Sequence, residues 1–134
     1  MGAPYTLTAI SDVPLSDSDN DLLDGLRGRT LTEPSLVEIA LNAEDVDVSF
    51  GVTVGPTEVL PSGSRATLQP TVGVLPIFPD DVLIQTFAGR GDEIIISARN
   101  ADAAAAAEAR AVVKVTAITD VDLRRAVLQA QGKA

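Results

Sequence analysis

Residues 46–54 read Val46-Asp47-Val48-Ser49-Phe50-Gly51-Val52-Thr53-Val54: five apolar residues, each separated from the next by one small or polar residue. That is a period of two, the mark of a strand with one face in a core and one in water. The pattern recurs in shorter pieces. Tyr5–Ile10 sets Tyr5, Leu7 and Ala9 against Thr6, Thr8 and Ile10. Leu36–Asn42 places Val37, Ile39 and Leu41 on one side. Val82–Ala88, then Glu93–Ala98 with its Ile94-Ile95-Ile96 centre, and Ala111–Ile118 with Val113, Val115 and Ala117 complete the clear runs.

Turn signals separate these runs. Val13-Pro14 ends the first. Ala43-Glu44-Asp45 lies between two strong runs, so Leu36–Asn42 and Val46–Val54 are expected to form a hairpin. Gly55-Pro56 breaks the second run, and Pro61-Ser62-Gly63-Ser64 reads as a turn closing a short strand, Thr57–Leu60. Arg65–Gln69 and Thr71–Leu75 are weaker strands. Prolines 70, 76 and 79 place that region at a sheet edge or an irregular crossing. Ser16–Gly28 is acidic and polar, with Leu22, Leu23 and Leu26 embedded, and reads as one or two helical turns or an ordered loop. Asn100–Arg110 holds five consecutive alanines and reads as a long connection with room for one helical turn.

About eight short strands with turns roughly every 8–15 residues, and no βαβ alternation, give the expected fold: an all-β, antiparallel, jelly-roll-like sandwich. Its organisation reads as an N-terminal strand or arm with the acidic loop over residues 1–35, a sandwich core over 36–118, and a tail over 119–134. In the tail, Thr119-Asp120-Val121-Asp122 resembles a capping box with Asp at its last position, and Val121–Gln131 is the expected short C-terminal helix. Val121, Leu123, Val127 and Leu128 supply its apolar side. A helix this short needs a surface to dock on, so these four are the candidate contacts to a neighbouring copy.

Composition narrows the function. The chain of 134 residues has a formal charge of −9, which argues against nucleic acid and anionic membranes as partners. It has no stretch apolar and long enough to span a membrane as a helix and shows no signal-peptide pattern. Met1–Thr6 formally fits an N-myristoylation pattern, without the basic cluster that would supply a second anchor. The only rings are Tyr5, Phe50, Phe78 and Phe87, too few for a stacking groove. With no His and no Cys, the Ser-His-Asp and Cys-His schemes are excluded, as are thiolate zinc sites and disulfides. Lys114 sits mid-strand between valines and reads as a solvated, outward residue. Paired carboxylates for sugar hydrolysis lack the cleft they need. The chain is therefore expected to be no enzyme and to need no cofactor.

Four short motifs carry possible ligand chemistry. Asp17-x-Asp19-x-Asp21 opens like a calcium loop, but Leu22 stands where the loop needs Gly, and Gly28 where it needs a bidentate Glu. Asp80, Asp81, Asp92 and Glu93 are placed to meet at one end of the sandwich, where a cation between loops is conceivable. Arg90-Gly91-Asp92 is an Arg-Gly-Asp tripeptide in a Gly-rich turn. The Gly89-x-Gly91 spacing lacks the lysine and helix of a phosphate loop.

The run Phe87-Ala-Gly-Arg-Gly-Asp-Glu-Ile-Ile-Ile-Ser-Ala-Arg-Asn100, the Ala-rich connection and Val112–Ile118 resemble small β-sandwich virion proteins of bacteriophages: head decoration (cement) proteins and single jelly-roll capsid components. The likeness covers about the last third of the chain and rests on strand and turn texture. It implies a virion location on the capsid surface and a homo-oligomer, with a trimer favoured. It also implies capsid or other virion proteins as partners, and no catalytic residues. A surface adhesion module for carbohydrate or a receptor, or a subunit of an extracellular filament, would share the same texture.

Overall fold

The computed structural model describes residues 4–78 and 80–118. Nine strands run through them: β1 (Tyr5–Val13), β2 (Asp17–Asp19), β3 (Ser35–Ala43), β4 (Val48–Val54), β5 (Thr57–Ser64), β6 (Thr67–Leu68), β7 (Val82–Ala88), β8 (Ile94–Asn100) and β9 (Ala107–Ala117). One sheet has the order β1-β9-β3, with β7 and the two-residue β6 sharing the far edge of β3. The other has the order β2-β8-β4-β5. The chain is an all-β sandwich, antiparallel except where β6 lies parallel to the end of β3.

Leaving β6 aside, the strands pair as β1 with β9, β2 with β8, β3 with β7 and β4 with β5. A long hairpin folded at the β4–β5 turn and then rolled up produces this order. The roll is closed by β3 against β9 and β4 against β8. This is the double-sheet jelly roll. Its central turn is built for the purpose. Val54 pairs with Thr57, leaving a two-residue loop in which Gly55 has φ 59° and Pro56 a fixed negative φ. Glycine with positive φ at the first loop position is the type II′ pattern, whose twist matches the strands.

The alternation that marks residues 46–54 is seen directly. Val48, Phe50, Val52 and Val54 are buried between the sheets, while Val46 precedes the strand and is exposed. Ile94, Ile96 and Ala98 from β8 face them within the same sheet, and Val37, Ile39, Leu41, Val113 and Val115 come from the other sheet. Leu22, Leu23 and Leu31 close one side of this core, so the acidic segment is an ordered loop pinned by its leucines. Of the four rings, only Phe50 is a core residue.

Several expectations need correction. Leu36–Asn42 and Val46–Val54 are not a hairpin: β3 and β4 lie in different sheets. In a rolled hairpin, neighbours in sequence cross between layers, and among the described residues only β4 and β5 are consecutive strands that pair. Pro61–Ser64 is not a turn but a bulged continuation of β5. Phe50 pairs with Ser64 and Val52 with Leu60, so Pro61, Ser62 and Gly63 oppose Gly51 alone. Gly63, at φ 91°, absorbs the kink. Thr71–Leu75 forms no strand.

The alanine run contains no helical turn. Asn100 is buried and its amide donates to the carbonyls of Val13 and Ala105, at 3.2 and 3.0 Å. Its Oδ1 accepts from Asp102 N at 2.9 Å. With the backbone of the run held this way, helix pairing is pre-empted, and Ala107 is already in β9 opposite Val13. The expected helix over Val121–Gln131 lies outside the described residues.

Candidate functional site

The candidate contacts Val121, Leu123, Val127 and Leu128 also lie outside the described residues. What the structure places is their point of departure. At the end of β9, Ile118 N donates to the Pro34 carbonyl at 3.0 Å. Nearby, Ser35 pairs with both Ala117 and Ala88, and Leu36 with Phe87. The tail therefore leaves from the end of the sheet where Phe87 is 42% exposed.

The acidic motifs are dispersed. Asp19 accepts from Ser11 Oγ at 2.6 Å and from Asp21 N at 3.1 Å. Asp21 is ion-paired with Arg29, which also lies 3.5 Å from Glu93. The hydrogen bond to Asp21 raises the Arg29 pKa further above its ordinary value. Asp81 accepts from Ile77 N at 2.8 Å, and Asp92 from Gly89 N at 2.9 Å. Asp80, Asp81, Asp92 and Glu93 thus do not converge, because each of the last three is committed locally. The one acidic trio among the described residues is Asp45, Asp47 and Asp102. Its oxygens organise loops: Asp45 Oδ1 accepts from Asp47 N at 3.0 Å and Asp102 Oδ1 from Ala104 N at 2.7 Å.

Arg90-Gly91-Asp92 forms part of the β7–β8 crossing between the sheets. Its aspartate is tied back to Gly89, and a Cβ at Gly55 would stand 2.5 Å from Asp92 Oδ1. A carboxylate held this closely against the molecule's own backbone is poorly presented to a receptor. Lys114 is exposed in mid-strand, between Thr6 and Glu38, as its pattern predicts.

Two features escape sequence reading. The first is Arg110, whose side chain is wholly buried on the outer face of the sheet. Nε donates to Glu108 Oε1 at 2.8 Å, and Nη1 donates to the Gln69 carbonyl at 2.9 Å and to Asn42 Oδ1 at 3.3 Å. Nη2 is also 2.8 Å from Glu108 Oε1, an ionic contact and not a hydrogen bond. Gly73 N donates to the same glutamate at 2.8 Å, and Asn42 Nδ2 to the Val74 carbonyl at 2.9 Å. The segment 69–78 is strapped across the sheet by these bonds, while Val72, Leu75 and Ile77 point outward, 68%, 37% and 57% exposed. The Gly73 hydrogen bond and the Arg110 guanidinium hold the Glu108 carboxyl below the usual glutamate range. Arginine inside a strand signals nothing by itself; the sign available was Glu108 two positions away on the same face.

The second is a shallow groove of about 310 Å³ on the outer face of the other sheet, lined by Ser18, Asn20, Ser49, Ser62, Ser97 and Arg99. Gly51 forms its floor, where a Cβ would come within 2.8 Å of Ser62 Oγ. No exposed ring lines it. Among the described residues, no helix is long and apolar enough to cross a membrane. No protein-family model, curated protein or solved structure matches the chain.

Proposed function

We propose that the chain is a non-enzymatic structural subunit of a virion shell, a decoration (cement) or minor capsid component that works as a symmetric homo-oligomer. The observation that carries this reading is the jelly-roll strand order, an architecture that recurs in capsid subunits. Fold alone never assigns function. Here it is joined by loops that hold apolar side chains outward, and by the absence of any His or Cys. The mechanism is mechanical: contact area repeated over many copies stiffens a shell. Val121, Leu123, Val127 and Leu128 are the tail contacts of this oligomer, with a trimer the favoured state. The test is assembly by the purified chain, read as mass in solution and as closed particles or rings in the electron microscope. Open filaments of unlimited length would instead favour a head-to-tail fibre subunit.

The serine-lined groove favours a second reading, a surface module that binds a polar ligand such as a carbohydrate, since jelly rolls also serve as lectin domains. Its hydroxyls, amide and guanidinium suit hydroxylated ligands, but it lacks a stacking ring. Glycan-array binding lost on Arg99→Ala would favour this second reading over the shell.

A further inference from the structure

A two-sheet sandwich has four edges, and this chain guards three of them with proline, charge or very short length. β5 is kinked by Pro61 and its bulge and carries Glu58. β2 is three residues long and carries Asp17 and Asp19. β1 lies between Pro4 and Pro14 and carries Asp12. Short length, proline, bulges and charge are the devices by which edges avoid pairing with other chains. β7 has only one of them, an irregularity at Leu83, which is skipped where Ile84 pairs with Ile39 and Val82 with Ala40. It reads Val-Leu-Ile-Gln-Thr-Phe-Ala, seven residues without proline, glycine or charge. It hydrogen-bonds to β3 on one side only; among the described residues β5 of the other sheet approaches it, but no backbone hydrogen bond is made on its other side. Leu83 and Phe87 on its outer face are 43% and 42% exposed.

We propose that β7 is a self-association edge, along which two copies pair antiparallel about a two-fold axis through Gln85 to form one continuous sheet. A free strand edge is satisfied only by another strand. Self-complementarity points to a second copy as that strand: the edge carries Asp80 beyond one end, Arg90 beyond the other, and exposed Leu83 and Phe87 symmetrically about Gln85. Two molecules of −9 repel almost everywhere, and the uncharged β7 is where their backbones can meet. The register that sets Gln85 opposite Gln85 of the second copy does two further things. It sets Leu83 opposite Phe87 twice over, so four exposed apolar side chains become cross-strand pairs. It also brings the Asp80 end of each strand toward the Arg90 end of the other; both residues lie in the flanking turns, and neither has an ion pair among the described residues. Such an isologous contact is closed and self-complementary. The inference concerns self-association only and holds whatever the assembly serves.

Because the chain has no cysteine, the register is directly testable in the full-length protein. Gln85→Cys should oxidise to a disulfide dimer about tenfold faster or more than Thr8→Cys on the opposite edge of the same sheet, because the paired thiols share a high effective concentration. A mixture of Leu83→Cys and Phe87→Cys chains should cross-link with each other, and neither should do so alone. Gln85→Cys oxidising no faster than Thr8→Cys overturns the proposal. Should that variant misfold by circular dichroism, the surface charges decide. Asp80→Arg should lower the dimer fraction by light scattering and the double change Asp80→Arg with Arg90→Asp should restore it; a dimer fraction unmoved by Asp80→Arg overturns the proposal. A wild-type chain that associates without Gln85→Cys cross-linking rejects this edge and leaves the shell reading standing.

Discussion

Arg110 and Glu108 stand two positions apart on β9, on the same outward face, and their side chains meet beneath segment 69–78 with Nε 2.8 Å from Oε1. Period two places the residues together, and the strap over them removes the water that would normally solvate a surface pair. Truncating Arg110 would leave Asn42 Oδ1 and the Gln69 carbonyl without that donor, and Glu108 without its counter-charge. Arg110→Ala should therefore lose about 3–5 kcal/mol, the range for breaking a buried pair from one side. The shift of the urea midpoint measures it.

The same pair sets an acid limit. Glu108 is held below its ordinary value of 4.5, first by the Gly73 hydrogen bond and then by Arg110. A carboxyl lowered on folding stabilises fully above its unfolded value, and that contribution is lost as pH falls through its folded value. Stability measured by urea titration at successive pH values should drop more steeply below 4.5 in the wild type than in Glu108→Gln. Equal slopes would mean the pair is not linked to folding.

Gly55 carries the central turn at φ 59°, with Asp92 packed where a side chain would begin. Gly55→Ala should lose about 1–3 kcal/mol from left-handed strain together with this contact. In an Asp92→Ala background the loss should shrink, because the two positions share one space. A double-mutant cycle of urea melts reads the coupling; strict additivity would separate the two residues.

Leu128→Asp should lower the mass of the assembly while leaving the far-ultraviolet dichroism of the sandwich unchanged. An unaltered mass would remove the tail from the contact.

The sequence showed its strands well and its topology poorly, for a physical reason. Alternation at Val48–Val54 and Val113–Val115 records which face is buried, and that is local. Which strand lies beside which is recorded only in long-range pairs such as Val13 with Ala107. A turn such as Ala43-Glu44-Asp45 looks alike whether the chain returns to its own sheet or crosses to the other. Pro61-Ser62-Gly63-Ser64 carries turn chemistry because a bulge needs the same residues. The alanine run is denied a helix by Asn100, a side chain whose partners are Val13 and Ala105 and cannot be read locally. At the candidate surfaces, the missing rings and histidines were visible at once. The strap over Arg110 and the uncharged edge at β7 became visible only when the sheets were assembled, since a strand's edge position is a property of the fold.

The most direct test of the account is the mass of the full-length chain in solution, by light scattering after size exclusion across a range of concentrations. The expected result is a discrete closed oligomer, a small whole multiple of the 13.9 kDa chain. A 13.9 kDa monomer at every concentration would contradict it, and would turn attention to the serine-lined groove.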